Sequence, residues 1–171
     1  MNRKQAIAAE VPRLRRYARA LVRDGAEADD LVQDCLARAL DRIDQWREGD
    51  SPRRWLFTIL HNLHVDSMRA RMRRPVETSI HGVHGARLSA GPEQMERLAF
   101  NDMLEALQTI PPERREALIL VGVEGMSYRD AAEVLGIPVG TLMSRLGRGR
   151  EQLRALLSEA PNGRGHLRSV T

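Results

Sequence analysis

The sequence has one cysteine, Cys35, and few aromatic residues, which make up 4% of its 171 positions. A single cysteine cannot form a disulfide within the chain, so a disulfide-stabilised secreted domain is excluded. The first residues, MNRKQAIAAEVPRLRR, lack the apolar stretch of a signal peptide, and no uninterrupted apolar run is long enough to cross a bilayer. We therefore expect a cytoplasmic protein that does not insert into a membrane.

Metal sites and catalytic motifs are also missing from the sequence pattern. Two histidine pairs, His61 with His64 and His81 with His84, have no cysteine or carboxylate at the spacing of a metal site. The chain has no glycine-rich phosphate loop, no nucleophile elbow and no pair of acids arranged for catalysis. We expect a protein that is not an enzyme and that uses neither a metal nor a cofactor.

The residues that are abundant favour helices and a polyanionic partner. Hydrophobic residues make up 42% of the chain and charged residues 29%, which is enough to bury a core. Alanine, leucine, arginine and glutamate lose little side-chain freedom in a helix, so the predicted fold is all-α. The net charge of +4 comes from arginine, which suits phosphates and guanine edges. Arginines on solvated helix faces explain the charge equally well, and composition leaves both explanations open.

The periodicity of apolar residues predicts two small helical domains. The helical pattern ends at residue 74, where the stretch RPVETSIHGVHGARLSAGP begins, rich in Gly, Ser, His and Pro. The predicted boundaries are residues 1–74 for the first domain, 75–92 for a flexible linker, 93–160 for the second domain and 161–171 for a disordered tail.

Apolar residues at helical spacing also place the individual helices. In the first domain they predict helices around residues 11–22, 31–43 and 52–74. Ser51 is placed to cap the third of these, because Pro52 follows it and suits a first helical turn. In the second domain one helix stops before Pro111, and the next ends near Gly125.

The segment from Ser127 to Arg154 has the features of a helix-turn-helix. Ser127 and Asp130 resemble a capping box, Ala132 is small where two helices would cross, and Gly136 permits the backbone angle of a tight turn. The outer face of the second helix would present side chains to the major groove: Thr141, Met143, Ser144, Arg145, Arg148 and Arg150. An ordinary helical hairpin in a bundle is the alternative.

Two glycines, Gly147 and Gly149, lie inside the second helix of this motif. Each disfavours a helix interior by about 1 kcal/mol relative to alanine. They indicate either a close approach of the helix backbone to DNA or local fraying of the helix.

The stretch from Ile110 to Arg154, IPPERREALILVGVEGMSYRDAAEVLGIPVGTLMSRLGRGREQLR, resembles region 4 of extracytoplasmic-function (ECF) sigma factors almost throughout. Two stretches of the first domain, ADDLVQDCLARAL and RRWLFTILHNLHVDSMRARMRR, resemble region 2 of the same family. The resemblance covers most of the chain, with the motifs in the family's order. It implies a non-enzymatic protein that binds core RNA polymerase, recognises promoter DNA and starts transcription of a stress-response regulon. It also implies control by an anti-sigma factor.

The resemblance assigns polymerase binding to an acidic segment of the first domain. The implied contact residues are Asp29, Asp30, Leu31, Gln33 and Asp34. Alternatively, Asp29 and Asp30 only complement the positive end of a helix dipole, and Leu31 is expected to be partly core in either case.

The resemblance also implies that the loop before Trp55 captures a base flipped from the minus-ten element. Asn62 can both donate and accept a hydrogen bond at a base edge, and arginines would hold the phosphates. The implied minus-ten residues are Arg47, Ser51, Arg53, Arg54, Asn62, Arg69, Arg71 and Arg73. Trp55 lies on the apolar stripe and is expected to be core rather than a stacking platform, while the role of Trp46 is left open.

For the minus-thirty-five element the resemblance implies contacts from the second helix of the helix-turn-helix. The base-facing positions are Met143, Ser144, Gly147 and Arg148, while Arg145 and Arg150 lie nearer to phosphate. Met143 and Gly147 depart from the family pattern, where polar or bulky residues are frequent, so no base sequence is predicted. A stand-alone helix-turn-helix regulator is the competing hypothesis, although nothing in the sequence resembles a dimerisation helix.

Overall fold

The computed structural model describes residues 2–47, 49–73 and 106–159. This part of the chain consists of helices and the turns between them, which confirms the all-α prediction. The α-helices are α1 (Arg3–Leu21), α2 (Gly25–Asp41), α3 (Pro52–Arg73), α4 (Pro112–Leu118), α5 (Tyr128–Leu135) and α6 (Val139–Glu159). The predicted linker, residues 75–92, and the predicted tail, residues 161–171, lie outside the described residues. No described helix is long and apolar enough to span a membrane.

Helices α1, α2 and α3 form the first bundle. The carboxylate of Asp24 starts α2 by accepting hydrogen bonds from the backbone N–H groups of Ala26 at 2.7 Å and Glu27 at 3.0 Å. Ser51 caps α3 as predicted, because its hydroxyl oxygen accepts from the backbone N–H of Arg54 at 3.3 Å. The centre of the bundle is fully buried and contains Leu14, Tyr17, Cys35, Leu56, Phe57 and Leu60.

Residues 106–109 and helices α4, α5 and α6 form the second bundle. Helix α4 continues into a π-helical turn, Ile119–Val123, and Gly125 follows that turn with a φ of 66°, near the helix end that the sequence predicts. Gly136 ends α5 in the left-handed conformation, with a φ of 62°. The hydroxyl oxygen of Ser127 caps α5 by accepting from the backbone N–H of Asp130 at 3.0 Å. The Asp130 carboxylate accepts from the Ser127 hydroxyl at 2.7 Å rather than from the Ser127 backbone, so the cap forms without the reciprocal bond of a capping box.

Helix α6 continues without interruption through Gly147 and Gly149. A Cβ atom on Gly149 would lie 3.0 Å from the Leu118 side chain and 3.4 Å from the Arg114 carbonyl oxygen, because α4 packs against α6 at this point. A Cβ atom on Gly147 would meet open space. The expectation of fraying is therefore wrong, and Gly149 is required by helix packing inside the protein rather than by an approach to DNA.

The two bundles pack against each other, an arrangement that the sequence left open. Helix α3 packs against α5, and α1 packs against α4. The buried apolar side chains of the two bundles form one continuous cluster. The ion pairs between α1 or α3 and the second bundle, described below, lie along this contact.

Candidate polymerase and nucleic-acid interfaces

Helix α2 presents an acidic outer face. Asp30, Gln33 and Asp34 are exposed and Asp29 is half-buried. Asp30, Gln33 and Asp34 lie at helical spacing on one side of α2, together with Ala37 and Asp41. The sequence-predicted polar contact residues therefore lie together on the surface.

Leu31 differs from its four polar neighbours because it is only 9% exposed and belongs to the core. Its side chain cannot serve as an exposed apolar contact for a partner, so its inclusion among the contact residues is corrected to a packing role. The exposed leucine of this helix is Leu40, at 46%. Leu40 lies seven residues after Gln33 and therefore on nearly the same side of α2. The sequence did not predict its exposure, because Leu40 also fits the spacing of the apolar residues that form the core.

Trp46, in the segment between α2 and α3, stacks on Trp55 in the first turn of α3. The rings of Trp46 and Trp55 lie 5.9 Å apart with an interplanar angle of 12°, and the Trp46 indole N–H donates to the carbonyl oxygen of Asp50 at 3.0 Å. Both side chains are half-buried, and Trp55 packs against the core as expected. The pair forms an aromatic wall beside exposed Arg47 and Ser51, a pairing that sequence spacing alone did not reveal.

The outer face of α3 carries three of the remaining predicted minus-ten residues of that helix. Asn62, Arg69 and Arg73 are exposed and lie at helical spacing on one face, together with Asp66. Arg71 is also exposed, and its guanidinium forms an ion pair with Glu27 of α2. Arg69 and Arg73 provide the positive charge of this face and Asn62 lies at its end nearest the start of α3, while Arg71 lies on the opposite side of the helix, towards α2.

Arg53 and Arg54, at the start of α3, are placed differently because both contact carboxylates. Arg54 forms ion pairs with Glu133 at 2.8 Å, with Asp130 at 3.6 Å and with Asp50 at 3.6 Å. Arg53 forms an ion pair with Glu10 at 3.1 Å. Their side chains are only 29% and 34% exposed, so they are much less accessible than the other predicted minus-ten arginines.

Glu124 is the most buried charge at the contact between the bundles. Its side chain has no solvent exposure and accepts two hydrogen bonds from Arg16 of α1, at 3.2 Å from Nε and 3.1 Å from Nη2. The Glu124 carbonyl oxygen accepts a further, long hydrogen bond from Arg53 at 3.5 Å. This bidentate ion pair offsets the free-energy cost of burying the carboxylate, because both carboxylate oxygens accept a hydrogen bond.

A second polar cluster joins α3 to α4. His61 Nδ1 lies 3.0 Å from one Glu116 oxygen, without the direction of a hydrogen bond, and His64 Nε2 lies 3.9 Å from the other. Burial lowers the pKa of His64, and the charge of Glu116 partly opposes this shift. Within the described residues no group of three or more histidines, cysteines and acids has the geometry of a metal site.

Helix α6 exposes one continuous strip of its surface. Leu142, Leu146 and Gly149 are buried against the second bundle, and Ser144, Gly147 and Arg148 lie on the opposite side. The predicted minus-thirty-five residues that flank this strip are Thr141 and Arg145 on one edge, and Met143 and Arg150 on the other. Met143 is 54% exposed, which is unusual for a methionine and leaves its side chain available for contact.

Two family models match the chain, one in each bundle. The model described as the Sigma2 domain of PhyR matches residues 7–61. The model described as Sigma-70, region 4, matches residues 100–153.

Similar full-length proteins and solved structures extend this result across both bundles. The ECF RNA polymerase sigma factor EcfG of Rhodopseudomonas palustris is 46% identical over 88% of this chain and 82% of its own length. The sigma factor RpoE of Bartonella quintana, solved in complex with the anti-sigma factor NepR, has a TM-score of 0.74 at 35% identity. That match covers 92% of this chain and 97% of RpoE. CnrH, solved with the cytosolic domain of CnrY, has a TM-score of 0.69 at 28% identity and covers 92% and 88% of the two chains.

Proposed function

The chain belongs to the ECF family of RNA polymerase sigma factors, and from this premise we propose how its two bundles divide the work of promoter recognition. The first bundle, region 2, binds core RNA polymerase and the melted minus-ten element. The second bundle, region 4, binds the minus-thirty-five element as duplex DNA. The observation that carries this division is that each bundle has its own exposed surface, acidic on α2 and basic on α3 and α6.

The acidic face of α2 is the proposed contact with core polymerase. Asp30, Gln33 and Asp34 supply acceptors for a basic groove, and exposed Leu40 supplies an apolar contact beside them. A rim of charge around an exposed apolar side chain is the usual composition of a specific protein interface. We assign Leu40, rather than buried Leu31, to this surface.

The minus-ten surface combines the α3 arginines with the loop before α3. Arg47, Arg69, Arg71 and Arg73 would hold phosphates, while Asn62 supplies both a donor and an acceptor for a base edge. The Trp46–Trp55 pair forms the wall against which an unstacked base can lie, since stacking on an aromatic ring offsets part of the cost of flipping.

The minus-thirty-five surface is the exposed strip of α6. Ser144 and Arg148 lie at its centre, where a helix in the major groove places side chains against base edges. Gly147 lies between them without a side chain and brings the helix backbone close to the groove. Thr141, Arg145 and Arg150 at the edges of the strip are positioned for phosphates.

Regulation by an anti-sigma factor is part of the same proposal. Both solved relatives reported above are bound to a second protein: RpoE to one named as an anti-sigma factor, and CnrH to the cytosolic domain of CnrY. We propose that this chain also has an anti-sigma partner, that it acts in the cytoplasm with core polymerase, and that it has no catalytic activity of its own.

Run-off transcription with purified core polymerase on a promoter library tests the proposal. The wild-type chain should bind core polymerase and give promoter-dependent transcripts. The double variant Arg145→Gln/Arg148→Gln should still bind core polymerase. It should lose about 1–3 kcal/mol of promoter-binding free energy with the Arg148 base contact, and the loss of the Arg145 phosphate contact should weaken binding to all DNA sequences alike. The matched control is Arg129→Gln, because Arg129 is exposed on the neighbouring helix α5 and outside the strip.

Two outcomes would contradict the proposal. If the wild-type chain fails to co-elute with sigma-free polymerase when no inhibitor is present, the assignment of the first bundle is wrong. If the Arg145→Gln/Arg148→Gln variant transcribes as well as Arg129→Gln, α6 does not contact the promoter as proposed.

A further inference from the structure

Two of the arginines assigned to the minus-ten element are occupied by the other bundle of the same chain. Arg54 contacts Glu133 at 2.8 Å and Asp130 at 3.6 Å, both on α5. Arg53 donates to the backbone carbonyl of Glu124 at 3.5 Å. A cleft of about 330 Å³ lies at this junction, between the start of α3 and the turn before α5, and its lining includes both arginines and Asp130.

Glu124 shows that the contact is more than a chance meeting of surface charges. Its side chain is completely buried, whereas its ion-pair partner Arg16 remains 42% exposed on the first bundle. A buried carboxylate requires a compensating partner, and in the described structure that partner comes from the opposite bundle. The two hydrogen bonds from one guanidinium to one carboxylate have the geometry that arginine also uses for phosphate.

We propose that region 4 inhibits region 2 within the free chain, with carboxylates taking the places of DNA phosphates. In the closed arrangement the Glu133 carboxylate holds Arg54 and the Glu124 carboxylate holds Arg16. The Glu124 carbonyl also contacts Arg53, whose own ion pair with Glu10 lies within the first bundle. A melted DNA strand can therefore reach Arg54 free of the second bundle only after the bundles separate. This inference rests on the proposed function of region 2 and on the minus-ten role that the resemblance to ECF sigma factors implies for Arg53 and Arg54. It adds an internal competitor to the external control by an anti-sigma factor.

The closed arrangement is suited to be a reversible block. Partly exposed ion pairs such as Arg54–Glu133 each contribute little to stability and weaken as salt screens them. Binding of the two bundles to separate sites on core polymerase would favour the open chain by differential affinity, without any change in the helices themselves.

Resonance energy transfer from tryptophans in the first bundle to a dye on the second bundle measures the separation of the two bundles. The chain has two tryptophans, Trp46 and Trp55, and both lie in the first bundle. An acceptor dye can be attached to the variant Ser158→Cys, because Ser158 is exposed near the end of α6. The native thiol of Cys35 is buried, and burial raises its pKa to about 12, so it does not compete for the dye at neutral pH.

In this labelled background, Glu133→Gln and Glu124→Gln should both lower transfer from the tryptophans to the dye. Each should also raise the affinity for a short single-stranded DNA oligonucleotide of mixed sequence at low salt. The gain in DNA affinity should be about two- to fivefold for the partly exposed Glu133 and larger for the buried Glu124. Removing one partner of a buried ion pair weakens the contact between the bundles more than removing one partner of an exposed pair.

Two control variants carry matched changes. Glu113→Gln removes the same charge from an exposed position on α4, and Arg129→Gln removes the i,i+4 pair within α5 that Glu133 also forms. Neither should change transfer or DNA affinity. Glu133 is exposed, so its variant should fold even if Glu124→Gln does not, and thermal unfolding monitored by circular dichroism checks this for each protein.

The results separate this inference from the proposed function. The inter-bundle ion pairs of Glu124 and Glu133 form what we call the carboxylate lock. Unchanged energy transfer in Glu133→Gln and in a folded Glu124→Gln would overturn this lock, whatever the transcription assay shows. Lower transfer without a gain in DNA affinity would overturn the masking of Arg54. Failure of the wild-type chain to support transcription would count against the proposed function, whereas the energy-transfer result would still report whether the lock exists.

Discussion

At the scale of single residues, Tyr17 holds an unsatisfied polar atom in the centre of the first bundle. Its side chain is completely buried and its ring stacks on Phe57 at a centroid distance of 5.0 Å. Among the residues that the structure describes, no group forms a hydrogen bond with its hydroxyl. Burial raises the pKa of Tyr17 well above its usual value, with a further contribution from the negative charge of Glu116.

Tyr17→Phe should increase the free energy of unfolding by about 1 kcal/mol, because it removes a buried polar group without a partner and keeps the stacked ring. Chemical denaturation of the two proteins measures the difference. Phe57→Leu is the control for ring packing and should lower the same quantity. A loss of stability in Tyr17→Phe would contradict the view that the buried hydroxyl destabilises the bundle.

At the scale of elements, α6 shows that two glycines in one helix serve different purposes. Gly149 is buried where α4 crosses α6, and an added Cβ would press on Leu118 at 3.0 Å. Gly147 lies two residues earlier on the exposed side and has open space around its missing Cβ. The helical penalty of glycine is the same at both positions, so the difference between them comes entirely from packing.

Gly147→Ala should therefore stabilise the chain by about 1 kcal/mol, since helix propensity improves and nothing is displaced. Gly149→Ala should destabilise it by about 1–2 kcal/mol, since the close contact with Leu118 and the Arg114 carbonyl outweighs the gain in propensity. Thermal unfolding of the two variants provides a matched comparison. Equal stabilisation by both substitutions would show that α4 can move away from α6 at no cost.

At the scale of the whole molecule, the buried cluster between α3 and α4 makes stability depend on pH. Burial lowers the pKa of His64, with smaller lowering effects from His61 and Arg115, while Glu116 acts in the opposite direction. The folded chain therefore holds His64 in its neutral form to a lower pH than the unfolded chain does. Protonation then favours unfolding, and the bundles lose stability as the solution becomes acidic.

The free energy of unfolding should fall as the pH decreases through about 6.5, the usual pKa of histidine, and should be insensitive to this group above it. His64→Gln should remove that part of the pH dependence while keeping a polar side chain near Glu116. Denaturation at a series of pH values from about 7.5 to 5.5 compares the two proteins. Parallel pH profiles for wild type and His64→Gln would exclude His64 as the responsible group.

The local features of this protein were determined by sequence alone. Ser51 and Ser127 cap helices, and Gly125 and Gly136 end them, because capping and positive φ angles depend on a few neighbouring residues. The helix-favouring composition indicated the all-α class, and the Ser127 cap together with Ala132 and Gly136 indicated the helix-turn-helix. The motifs around these positions were specific enough to indicate the family that the comparisons then confirmed.

Only the tertiary structure decided which of the identified side chains are available to a partner. Leu31 is buried although Leu40 on the same helix is exposed, and Arg54 is occupied by Glu133, which lies 79 positions away along the chain. Such contacts depend on how the two bundles pack against each other, and helical periodicity does not specify that packing. The physical reason is that burial and ion pairing are set by distance in space, whereas the sequence pattern specifies only which face of each helix is apolar.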